Sequence, residues 1–435
     1  MFVQELSAPI SAETLAWGLA GVPGLAWLDS DGSSGDDARY SFVTAAPVEL
    51  RRSRPADPAP FGLLDGLGPP EAGGGGGWVP HWIGYIAYDA YPLLPGREPG
   101  PGLCFARYEA VFAIDHREGR SYLVGDDEAA CQRLQARLRP PLRAASSEPL
   151  AVCGQLMAAD PAQHERAIGR ALELIGKGEI YQVNLARRFC APYTGSALAL
   201  ASAMRRESPV PLGMFFDDGQ RAVVGRSMER FLRWQRATRR LHTRPIKGTL
   251  ARAGRDPEEV SALRSDPKEH AEHAMIVDLM RNDLGRVAAV GSVQVEQRFA
   301  VEPFARLHHL VSTIACTTRP EVRASDVLYA TFPPGSVTGT PKLRAIQTIA
   351  ALEPVPRGIY TGALGFVDRA GGLSLSVAIR TAVVEGSEAS YFAGGGIVEA
   401  SQIGREIAET ELKARVFVDA LRALPAVRAG GFEPP

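Results

Sequence analysis

The sequence predicts an α+β fold rather than a doubly wound parallel sheet, and three patterns carry this prediction. The first 140 or so of the 435 residues contain short strand-like runs. After Pro149, long helical stretches alternate with further strand-like runs. Several of these runs follow one another with no helix between them. That order favours antiparallel sheets covered by helices.

The strand-like runs of the first part are AWLDS, RYSFVTA, WIGYIAYDAY and ARYEAVFAIDH. Two Pro- and Gly-rich segments, Pro55–Pro80 with its five glycines at Gly73–Gly77 and Arg139–Pro149, predict a surface loop and a linker. These breaks predict a β-rich region over residues 1–149 and a second region over residues 150–425. We expect the two regions to interleave in one two-lobed domain.

Helical periodicity is concentrated in the second region. The predicted helical stretches are Pro161–Lys177, Pro257–Val287, Lys342–Leu352 and Ile403–Leu421. The strand-like runs between them are YQVNLARRF, GMFFDD, RAVVGRS, GALGFVD, LSLSVAIRTAVVE and SYFAGGGIV. The sequence shows no signal peptide, no apolar run of about 18 residues and no CxxC pair among its five cysteines. With a formal net charge of −1, these features predict a soluble cytoplasmic protein that binds neither nucleic acid nor a membrane.

The segment RPIKGTLAR, Arg244–Arg252, contains an unusual choice of residue. Only five of the 48 basic residues are lysines, and Lys247 lies near the middle of this segment. Arginine stays protonated in proteins, whereas lysine can lose its proton and act as a nucleophile or base. Lys247 is therefore a candidate catalytic residue.

Two predicted helices carry the same acidic pattern. Glu269 and Glu272 precede an apolar stripe in DPKEHAEHAMIVDLMRNDLGRV, and Glu406 and Glu409 do so in GREIAETELKARVFVDAL. The helix dipole and the i,i+4 pair of Glu409 with Lys413 explain part of this pattern. Four convergent carboxylates would repel one another unless a hard cation such as Mg²⁺ lay among them. The repeated spacing favours a magnesium site over two solvated helix starts.

Two glycine-containing segments are candidates to contact an anionic ligand. PPGSVTGTPK is not a phosphate-binding P-loop, because Pro341 stands where that motif needs glycine. Its Ser336 and Thr338 nevertheless lie in a turn before a helix, which can present hydroxyls and amides to an anion. In YFAGGGIV, Gly394–Gly396 either form a strand irregularity or let the backbone approach a ligand carboxylate closely.

Taken together, these motifs resemble those of the chorismate-utilising enzymes, which include the large subunits of anthranilate synthase and aminodeoxychorismate synthase and the isochorismate and salicylate synthases. The resemblance is dense from about Met157 to Leu421. It runs through YQVNLARRF, SMERF, PIKGT, KEHAEHAMIVDLMRNDLGR, HHLVSTI, GSVTGTPK, GIYTGALG, AIRTA, GGGIV and the final E-x-x-E-x-x-x-K. The WLDS, RYSF and WIGYIAYD segments are similar to the amino-terminal portion of the two amine-transferring members. In relatives the WLDS and RYSF region forms a tryptophan pocket, and the sequence leaves open whether this chain binds tryptophan.

The resemblance implies a large antiparallel β-sandwich surrounded by helices, as in anthranilate synthase component I, with the active site in a cleft. It implies that Glu272 and Glu409 ligate Mg²⁺, which holds the ring carboxylate of chorismate, while Glu269 and Glu406 hold the ion's waters. The other implied site residues are Arg380 and Tyr360 with the amides of Gly394, Gly395 and Gly396 at the enolpyruvyl carboxylate, His309 near the ring, and Lys413 beside the acidic cluster.

Two positions separate the branches of these enzymes. Hydrolytic members carry a water-activating lysine where this chain has Gln182. Anthranilate synthases read P-I-A-G-T where this chain has Lys247, and a lysine there marks the aminodeoxychorismate synthases. The resemblance thus implies that Lys247 attacks C2 of chorismate while the C4 hydroxyl leaves, helped by Glu229 as general acid. Ammonia then displaces the lysine to give 4-amino-4-deoxychorismate for folate synthesis.

Departures from the motifs are small: SMER replaces S-P-E-R, and Gly395 replaces the alanine of G-A-G. No cysteine lies in a Gly-Cys-Gly nucleophile turn, and the chain ends soon after the last predicted site helix. We therefore expect a separate glutamine amidotransferase subunit to supply the ammonia within a heterodimer. Anthranilate synthase component I is an alternative, and a non-catalytic scaffold that binds chorismate or tryptophan for a glutaminase is another.

Overall fold

The structure is a computed structural model that describes residues 1–33, 36–54, 57–68, 78–91, 102–139, 152–153, 156–251, 256–303 and 307–424. The strands, in chain order, are β1 (Phe2–Glu5), β2 (Ala26–Asp29), β3 (Tyr40–Thr44), β4 (Glu49–Arg52), β5 (Pro80–Ile86), β6 (Leu103–Arg107), β7 (Ala110–Asp115), β8 (Arg120–Gly125), β9 (Val152–Cys153), β10 (Met157–Ala158), β11 (Gln182–Thr194), β12 (Leu212–Asp217), β13 (Arg221–Ser227), β14 (Arg230–Gln235), β15 (Arg240–Arg244), β16 (Ile246–Ala251), β17 (Gln294–Pro303), β18 (Leu307–Thr317), β19 (Gly339–Thr340), β20 (Ala363–Asp368), β21 (Leu373–Val377), β22 (Thr381–Glu385) and β23 (Glu388–Ile397).

The described helices are α1 (Ala12–Gly18), α2 (Glu128–Gln135), α3 (Pro161–Gly176), α4 (Ala197–Glu207), α5 (Asp256–Ser265), α6 (Pro267–Gly285), α7 (Ala324–Thr331), α8 (Lys342–Leu352) and α9 (Ile403–Ala423). Short 3₁₀ helices lie at Asp36–Ala38, Pro60–Gly66, Tyr88–Ala90 and Gly335–Val337. No helix in the described ranges is long and apolar enough to cross a membrane.

Two antiparallel sheets pack face to face. The first has the order β1-β8-β7-β3-β2-β12-β13-β22-β23-β11-β10, with β9 and β19 also paired to β11. The second has the order β16-β18-β15-β14-β21-β20-β5-β6-β4, with β17 also paired to β18. Apolar residues from both sheets, including Phe42, Phe216, Ile83 and Leu364, form the core between them. This arrangement confirms the predicted α+β fold and the β-sandwich implied by the resemblance.

Helices cover the outer faces of both sheets. The apolar faces of α1, α2, α4 and α9 pack on the first sheet, and those of α6 and α7 pack on the second. Helix α3 begins where Pro161 follows Asp160, whose carboxylate accepts a hydrogen bond from the Ala162 N–H (2.9 Å). Strands from before residue 149 and after residue 150 share both sheets, as β2 beside β12 and β5 beside β20 show.

Two runs that the sequence predicts as single strands are pairs of strands that change sheets. ARYEAVFAIDH contains the end of β6, in the second sheet, and all of β7, in the first. LSLSVAIRTAVVE likewise contains β21, in the second sheet, and β22, in the first. The second break includes Arg380, whose φ of +49° is incompatible with a continuous strand. The single-strand predictions were wrong because continuous β periodicity does not show where a chain crosses between sheets.

The predicted helical stretch 257–287 is two helices, α5 and α6, separated at Asp266 just before Pro267. Proline at the first position of α6 explains the break, because the residue before proline is disfavoured in the helical region. In the predicted loop 55–80, residues 60–66 form a 3₁₀ helix that buries Phe61 and Leu64. Gly73–Gly77 and residues 140–149 lie outside the described residues.

Candidate active site

Lys247 lies at an irregularity of the second sheet. Strand β16 pairs with β18, and Lys247 is opposite Leu310, but the register shifts between Lys247 and Thr249. Gly248, at the shift, has a φ of +67°, and a Cβ there would lie 3.2 Å from a carboxylate oxygen of Glu269. A glycine at this position therefore lets the strand bulge next to an acidic helix.

The Lys247 amine is surrounded by groups from three other elements. Its Nζ lies 2.9 Å from Oε2 of Glu272 on α6. A Cβ on Gly396 of β23 would lie 3.3 Å from Nζ and 3.0 Å from Nε2 of Gln182 on β11. Gln182 is fully buried, and neither its amide nitrogen nor its amide oxygen has a hydrogen-bond partner among the described residues. The structure thus brings Lys247, Glu272, Gln182 and Gly396 together, with an unsatisfied amide beside the lysine.

The other predicted carboxylates lie around the same lysine. A Cβ on Gly395 would lie 3.0 Å from Oε2 of Glu406 and 3.9 Å from the carboxyl group of Glu409. Lys413 Nζ lies 2.6 Å from Glu409 and donates to the Gly394 carbonyl (2.8 Å). Burial raises the pKa of Glu406, and the charge of Glu409 adds to this effect. Glu269 lies next to Gly248, and Glu272 pairs with Lys247. The glutamates of both E-x-x-E patterns therefore belong to one cluster.

Glu229 is a buried carboxyl near Lys247, in the turn between β13 and β14. Burial raises its pKa to about 7, although the Ser336 hydroxyl, the Ile246 backbone and the Lys247 charge act in the opposite direction. Its carbonyl accepts a hydrogen bond from the Val377 N–H (3.0 Å), which holds the turn in place. A carboxyl with this pKa exchanges its proton near neutral pH, as a general acid must.

The predicted residues of the 335–338 turn have different surroundings. Ser336 lies close enough to Glu229 to lower the pKa of its carboxyl, and its buried hydroxyl has no hydrogen-bond partner among the described residues. The buried Thr338 hydroxyl donates to the carbonyls of Pro334 (3.0 Å) and Gly335 (3.2 Å), so in this structure it stabilises the turn.

His309 is buried on β18, close to the bulge. Its Nδ1 lies 3.0 Å from the Gly248 carbonyl, which can only accept, so Nδ1 carries the hydrogen. Burial lowers the pKa of His309 to about 4, and the charge of Arg380 adds to this effect. The imidazole is therefore neutral at pH 7, and its orientation depends on the same glycine that allows the bulge.

Arg380 and Tyr360 lie near the glycine segment of β23. Strand β22 pairs with β23 only as far as Tyr391, whereas β11 pairs with it along Glu388–Ile397. Beyond Tyr391, the edge of β23 that faces β22 is unpaired, so alternate amides of Gly394–Gly396 point to this open edge. Arg380 directly precedes β22 and lies at the same edge. The buried Tyr360 ring stacks on Phe392 at 5.4 Å, and burial raises its pKa, so its hydroxyl remains a donor. The Arg380 guanidinium donates to the Ser208 hydroxyl (3.3 Å).

A cavity of about 920 Å³ is not lined by Lys247 or by the four glutamates. It lies between the sheets and includes Asp29, Tyr40 and Phe42, from the WLDS and RYSF segments. The region in which the resemblance implies a pocket in relatives is therefore also hollow in this chain.

The sequence did not single out Lys342 as a site residue, although it shares the rarity that marked Lys247. Its buried Nζ donates to the carbonyls of Thr331 (2.7 Å) and Pro333 (2.9 Å) and to Asp283 Oδ2 (2.5 Å). Asp283 lies on α6, and Pro333 leads into the turn that carries Ser336. Lys342 thus joins the acidic helix to the turn beside Glu229, and its three tetrahedral donors suit three separate oxygens.

We expect Lys342→Met to lower the free energy of unfolding by about 3–5 kcal/mol, because it leaves Asp283 buried without its cation. Adding Asp283→Asn should restore part of that loss. Lys177→Met, at the exposed end of α3, is the matched control and should change the free energy by less than about 0.5 kcal/mol. Urea unfolding curves measure all four proteins, and equal effects of the two lysine variants would contradict the assignment.

Arg357 is a second supporting residue that the sequence did not reveal. Its buried guanidinium donates to the carbonyls of Asn184 (2.7 Å) and Val337 (3.1 Å) and to the Thr361 hydroxyl (3.1 Å). It also donates twice to Glu353, whose Oε1 accepts from the Ala186 N–H (2.9 Å). Arg357 therefore fixes β11, which carries Gln182, relative to the 335–338 turn.

A family model described as chorismate binding enzyme matches residues 48–419, which include every candidate site residue. The chain belongs to the chorismate-binding enzyme family. Within the family it is 37% identical over 359 residues to an aminodeoxychorismate synthase of Streptomyces griseus, across 77% of this chain and 49% of that protein. It is 35% identical over 443 residues to anthranilate synthase component 1 of Streptomyces coelicolor, across 92% and 84% of the two chains.

This family member spans about half the length of its Streptomyces griseus relative. Its fold is similar to that of anthranilate synthase component I from Streptococcus pneumoniae, with a TM-score of 0.77 and 29% identity over 88% of this chain and 93% of that one. The family and its fold are thereby shown, and relatives with two different activities are similar to the chain to nearly the same degree.

Proposed function

We propose that this chorismate-binding enzyme is an aminodeoxychorismate synthase component 1, which replaces the C4 hydroxyl of chorismate with an amino group. The observation that supports this most directly is the primary amine of Lys247 at the centre of the carboxylate cluster, close to the buried Glu229 carboxyl. The PIKGT turn resembles that of the aminodeoxychorismate synthases, and the Streptomyces griseus relative carries that name.

In the proposed reaction the unprotonated Lys247 amine attacks C2 of chorismate. Both conjugated ring double bonds shift, the bond between C4 and its oxygen breaks, and the oxygen leaves as water with a proton from Glu229. Ammonia then attacks C4, both double bonds shift back, and the bond from C2 to the lysine nitrogen breaks. Covalent catalysis divides one difficult displacement into two easier ones.

Gln182 supports amine transfer rather than attack by water. It lies beside Lys247 at the position where hydrolytic relatives carry a water-activating lysine. A neutral amide cannot serve as that base. Its unsatisfied amide can instead hydrogen-bond the substrate, since buried polar groups are rarely left without partners.

We propose that Glu272 and Glu409 bind Mg²⁺ and that Glu269 and Glu406 hold its water ligands. In the described part of the chain no three His, Cys, Asp or Glu side chains are arranged to hold a metal, and Glu272 and Glu409 each contact a lysine. The donor set still suits the ion, because Mg²⁺ in proteins commonly uses one or two carboxylates with waters and substrate oxygens. When bound, the ion supplies positive charge that attracts a substrate carboxylate.

The proposed anion contacts are Arg380, Tyr360 and the amides of Gly394–Gly396. Arg380 carries a permanent positive charge, and Tyr360 offers a hydroxyl donor, so together they can orient the enolpyruvyl carboxylate. His309, neutral and held by the Gly248 carbonyl, is proposed to lie near the ring. Lys413 balances the charge of Glu409.

Ammonia is proposed to come from a separate glutamine amidotransferase subunit. Glutamine hydrolysis needs a nucleophilic cysteine, but four of the five cysteines, Cys104, Cys131, Cys190 and Cys316, are buried, and the fifth, Cys153, lies in LAVCGQL rather than in a Gly-Cys-Gly turn. Burial raises the pKa of each of the four buried thiols, which disfavours the thiolate nucleophile.

A product assay tests the proposed function directly. With chorismate, Mg²⁺ and an ammonium salt at raised pH, the purified chain should form 4-amino-4-deoxychorismate, identified by liquid chromatography and mass spectrometry. With glutamine in place of ammonium it should form no product until an amidotransferase subunit is added. Product from glutamine and the purified chain alone would refute the partner proposal, and no turnover under any condition would support a binding scaffold.

Anthranilate synthase component I is the second candidate, supported by the 35% identity over 92% of the chain to the Streptomyces coelicolor relative. The same assay separates the two candidates, because anthranilate is fluorescent and its formation releases pyruvate. Anthranilate as the main product would assign the chain to that activity and leave Lys247 without a covalent role.

Glu229→Gln should slow adduct formation with chorismate by about 10²–10⁴-fold, since an amide cannot donate the proton to the leaving oxygen.

The stability of Glu229→Gln at different pH values gives a second measurement. A carboxyl whose pKa is near 7 in the folded protein binds more protons in the folded state than in the unfolded state. Its contribution to the free energy of unfolding is therefore lost as the pH rises from about 4.5 to 7. Between pH 5 and pH 8, the free energy of unfolding of Glu229→Gln should therefore rise by up to about 3 kcal/mol relative to that of the wild type.

Urea unfolding at both pH values measures that gain, and quenched-flow mass spectrometry measures the adduct. A variant with the wild-type adduct rate would remove Glu229 from the acid role, whatever its stability. A stability difference independent of pH would show that Glu229 does not titrate near neutral pH.

A further inference from the structure

A second cavity, of about 290 Å³, lies beside β11. Its walls come from the start of α3, from β10 and β11, from the segment after α8, and from Phe392. None of the proposed active-site residues lines it. On β11, Gln182 and Arg187 are an odd number of residues apart, so their side chains point to opposite faces of the sheet. Arg187 and the part of the cavity that it lines therefore lie on the face of β11 opposite to Gln182, and β11 separates them from Lys247.

Arg187 is a buried cation in the wall of this cavity, with 3% of its surface exposed. Its Nη2 lies 3.6 Å from the exposed Glu411, and its guanidinium lies 5.1 Å from the Phe189 ring centroid. Its Nε and Nη1 have no hydrogen-bond partner among the described residues. Leaving charged donors buried and unsatisfied is unfavourable, so these nitrogens indicate a missing acceptor.

His164 on α3 is a second donor in the same wall. Burial lowers its pKa to about 4, and the charge of Arg187 adds to this effect, so the imidazole is neutral at pH 7. Its Nε2 likewise has no partner within the described ranges, and a neutral imidazole can donate from that atom. Two buried side chains with unsatisfied nitrogens thus line one cavity.

The remaining wall limits the charge and polarity of an occupant. Arg188, also in the wall, pairs with Glu388, so Arg187 is the cation with donors to spare. Two acidic residues, Asp160 and Glu353, also line the cavity; Glu353 is paired with Arg357, and Asp160 would repel a polyanion. Most other lining residues are apolar, among them Met157, Ala167, Leu185, Leu352, Val355 and Phe392. This combination favours one negative charge on an apolar body.

We propose that this cavity binds a small hydrophobic monocarboxylate, with its carboxylate on Arg187 and His164 and its apolar part against Leu185 and Leu352. The proposal is independent of the reaction at Lys247. A benzoate-sized molecule fits the available volume, and a suitable probe is 4-fluorobenzoate, followed by fluorine NMR.

The wild-type protein should bind 4-fluorobenzoate saturably. Arg187→Gln should weaken binding about tenfold or more, because it removes the charged donor. Ala167→Leu should weaken it to a similar extent by filling the cavity, and this variant carries the test if Arg187→Gln does not fold. Arg188→Gln, the matched control with a paired guanidinium, should change the affinity less than about threefold. Fluorobenzene, which lacks the carboxylate, should bind at least about tenfold more weakly.

Lys247→Ala should bind the probe as the wild type does, and chorismate should not displace it. No saturable binding, or wild-type affinity in both Arg187→Gln and Ala167→Leu, would overturn the proposal. Loss of binding in Lys247→Ala would overturn it too, since the probe would then occupy the active site. Equal affinity for fluorobenzene would remove the carboxylate from the recognition.

Discussion

Replacing Lys247 with arginine should reduce formation of 4-amino-4-deoxychorismate at least about 10³-fold, as loss of a covalent nucleophile does in other enzymes. Arginine keeps the positive charge and can still pair with Glu272, but it does not lose its proton in a protein. Lys247→Ala removes both the charge and the nucleophile. If the two variants are equally inactive, the reactive amine rather than the charge at this position explains the activity.

The covalent step has its own measurement. With chorismate and Mg²⁺ but no ammonia, intact-mass spectrometry of the wild type should show an adduct of chorismate less one water, which peptide mapping places on Lys247. Neither variant should form it, and added ammonium should discharge it from the wild type. Product at the wild-type rate from Lys247→Arg would show that the lysine is not the nucleophile.

Glu272→Gln and Glu409→Gln should each lower Mg²⁺-dependent turnover by at least about 100-fold, since each removes one proposed ligand from the cluster. Asp278→Asn is the matched control, because Asp278 lies on the same helix as Glu272 but is exposed and forms a surface ion pair with Arg281. It should keep wild-type turnover. Circular dichroism should show an unchanged fold in all three variants.

Magnesium binding can also be measured without turnover. An ion that binds only the folded state raises the melting temperature, and the stabilisation grows with the logarithm of one plus the ratio of ion concentration to Kd. Mg²⁺ should therefore stabilise the wild type and the Asp278→Asn control. The same titration should have little effect on Glu272→Gln and Glu409→Gln. Undiminished activity of the wild type in excess EDTA would contradict the proposed metal site.

The sequence was sufficient for features that depend on local pattern. The period of 3.6 residues located α3, α8 and α9, and the E-x-x-E spacing put each pair of glutamates on one helix face. The rarity of lysine identified Lys247 as a candidate. The helix predictions were confirmed because helix periodicity is encoded within a few neighbouring residues, whereas the catalytic role of Lys247 stays a prediction.

Contacts between distant segments could not be predicted from these patterns. Lys342 shares the rarity of Lys247, but its role follows from carbonyls and a carboxylate that only packing places around it. Arg357 belongs to no motif that the sequence singles out, and two of its five hydrogen bonds, to the carbonyls of Asn184 and Val337, reach β11 and the 335–338 turn. The sheet change at Arg380 was missed because a strand pattern does not record which sheet a strand joins.

By itself, the sequence determined the fold class, the helices α3, α8 and α9, the acidic helix faces and the placing of a lysine in the PIKGT turn, but it did not reveal α1, α2, α4 or α7. The tertiary structure alone decided that Lys247 meets Glu272, Gln182 and Gly396, and that Glu229 is buried enough for a pKa near 7. The physical reason is that periodicity reflects which face of each element is buried. Proximity and pKa depend instead on how sheets pair and apolar faces pack across the whole chain.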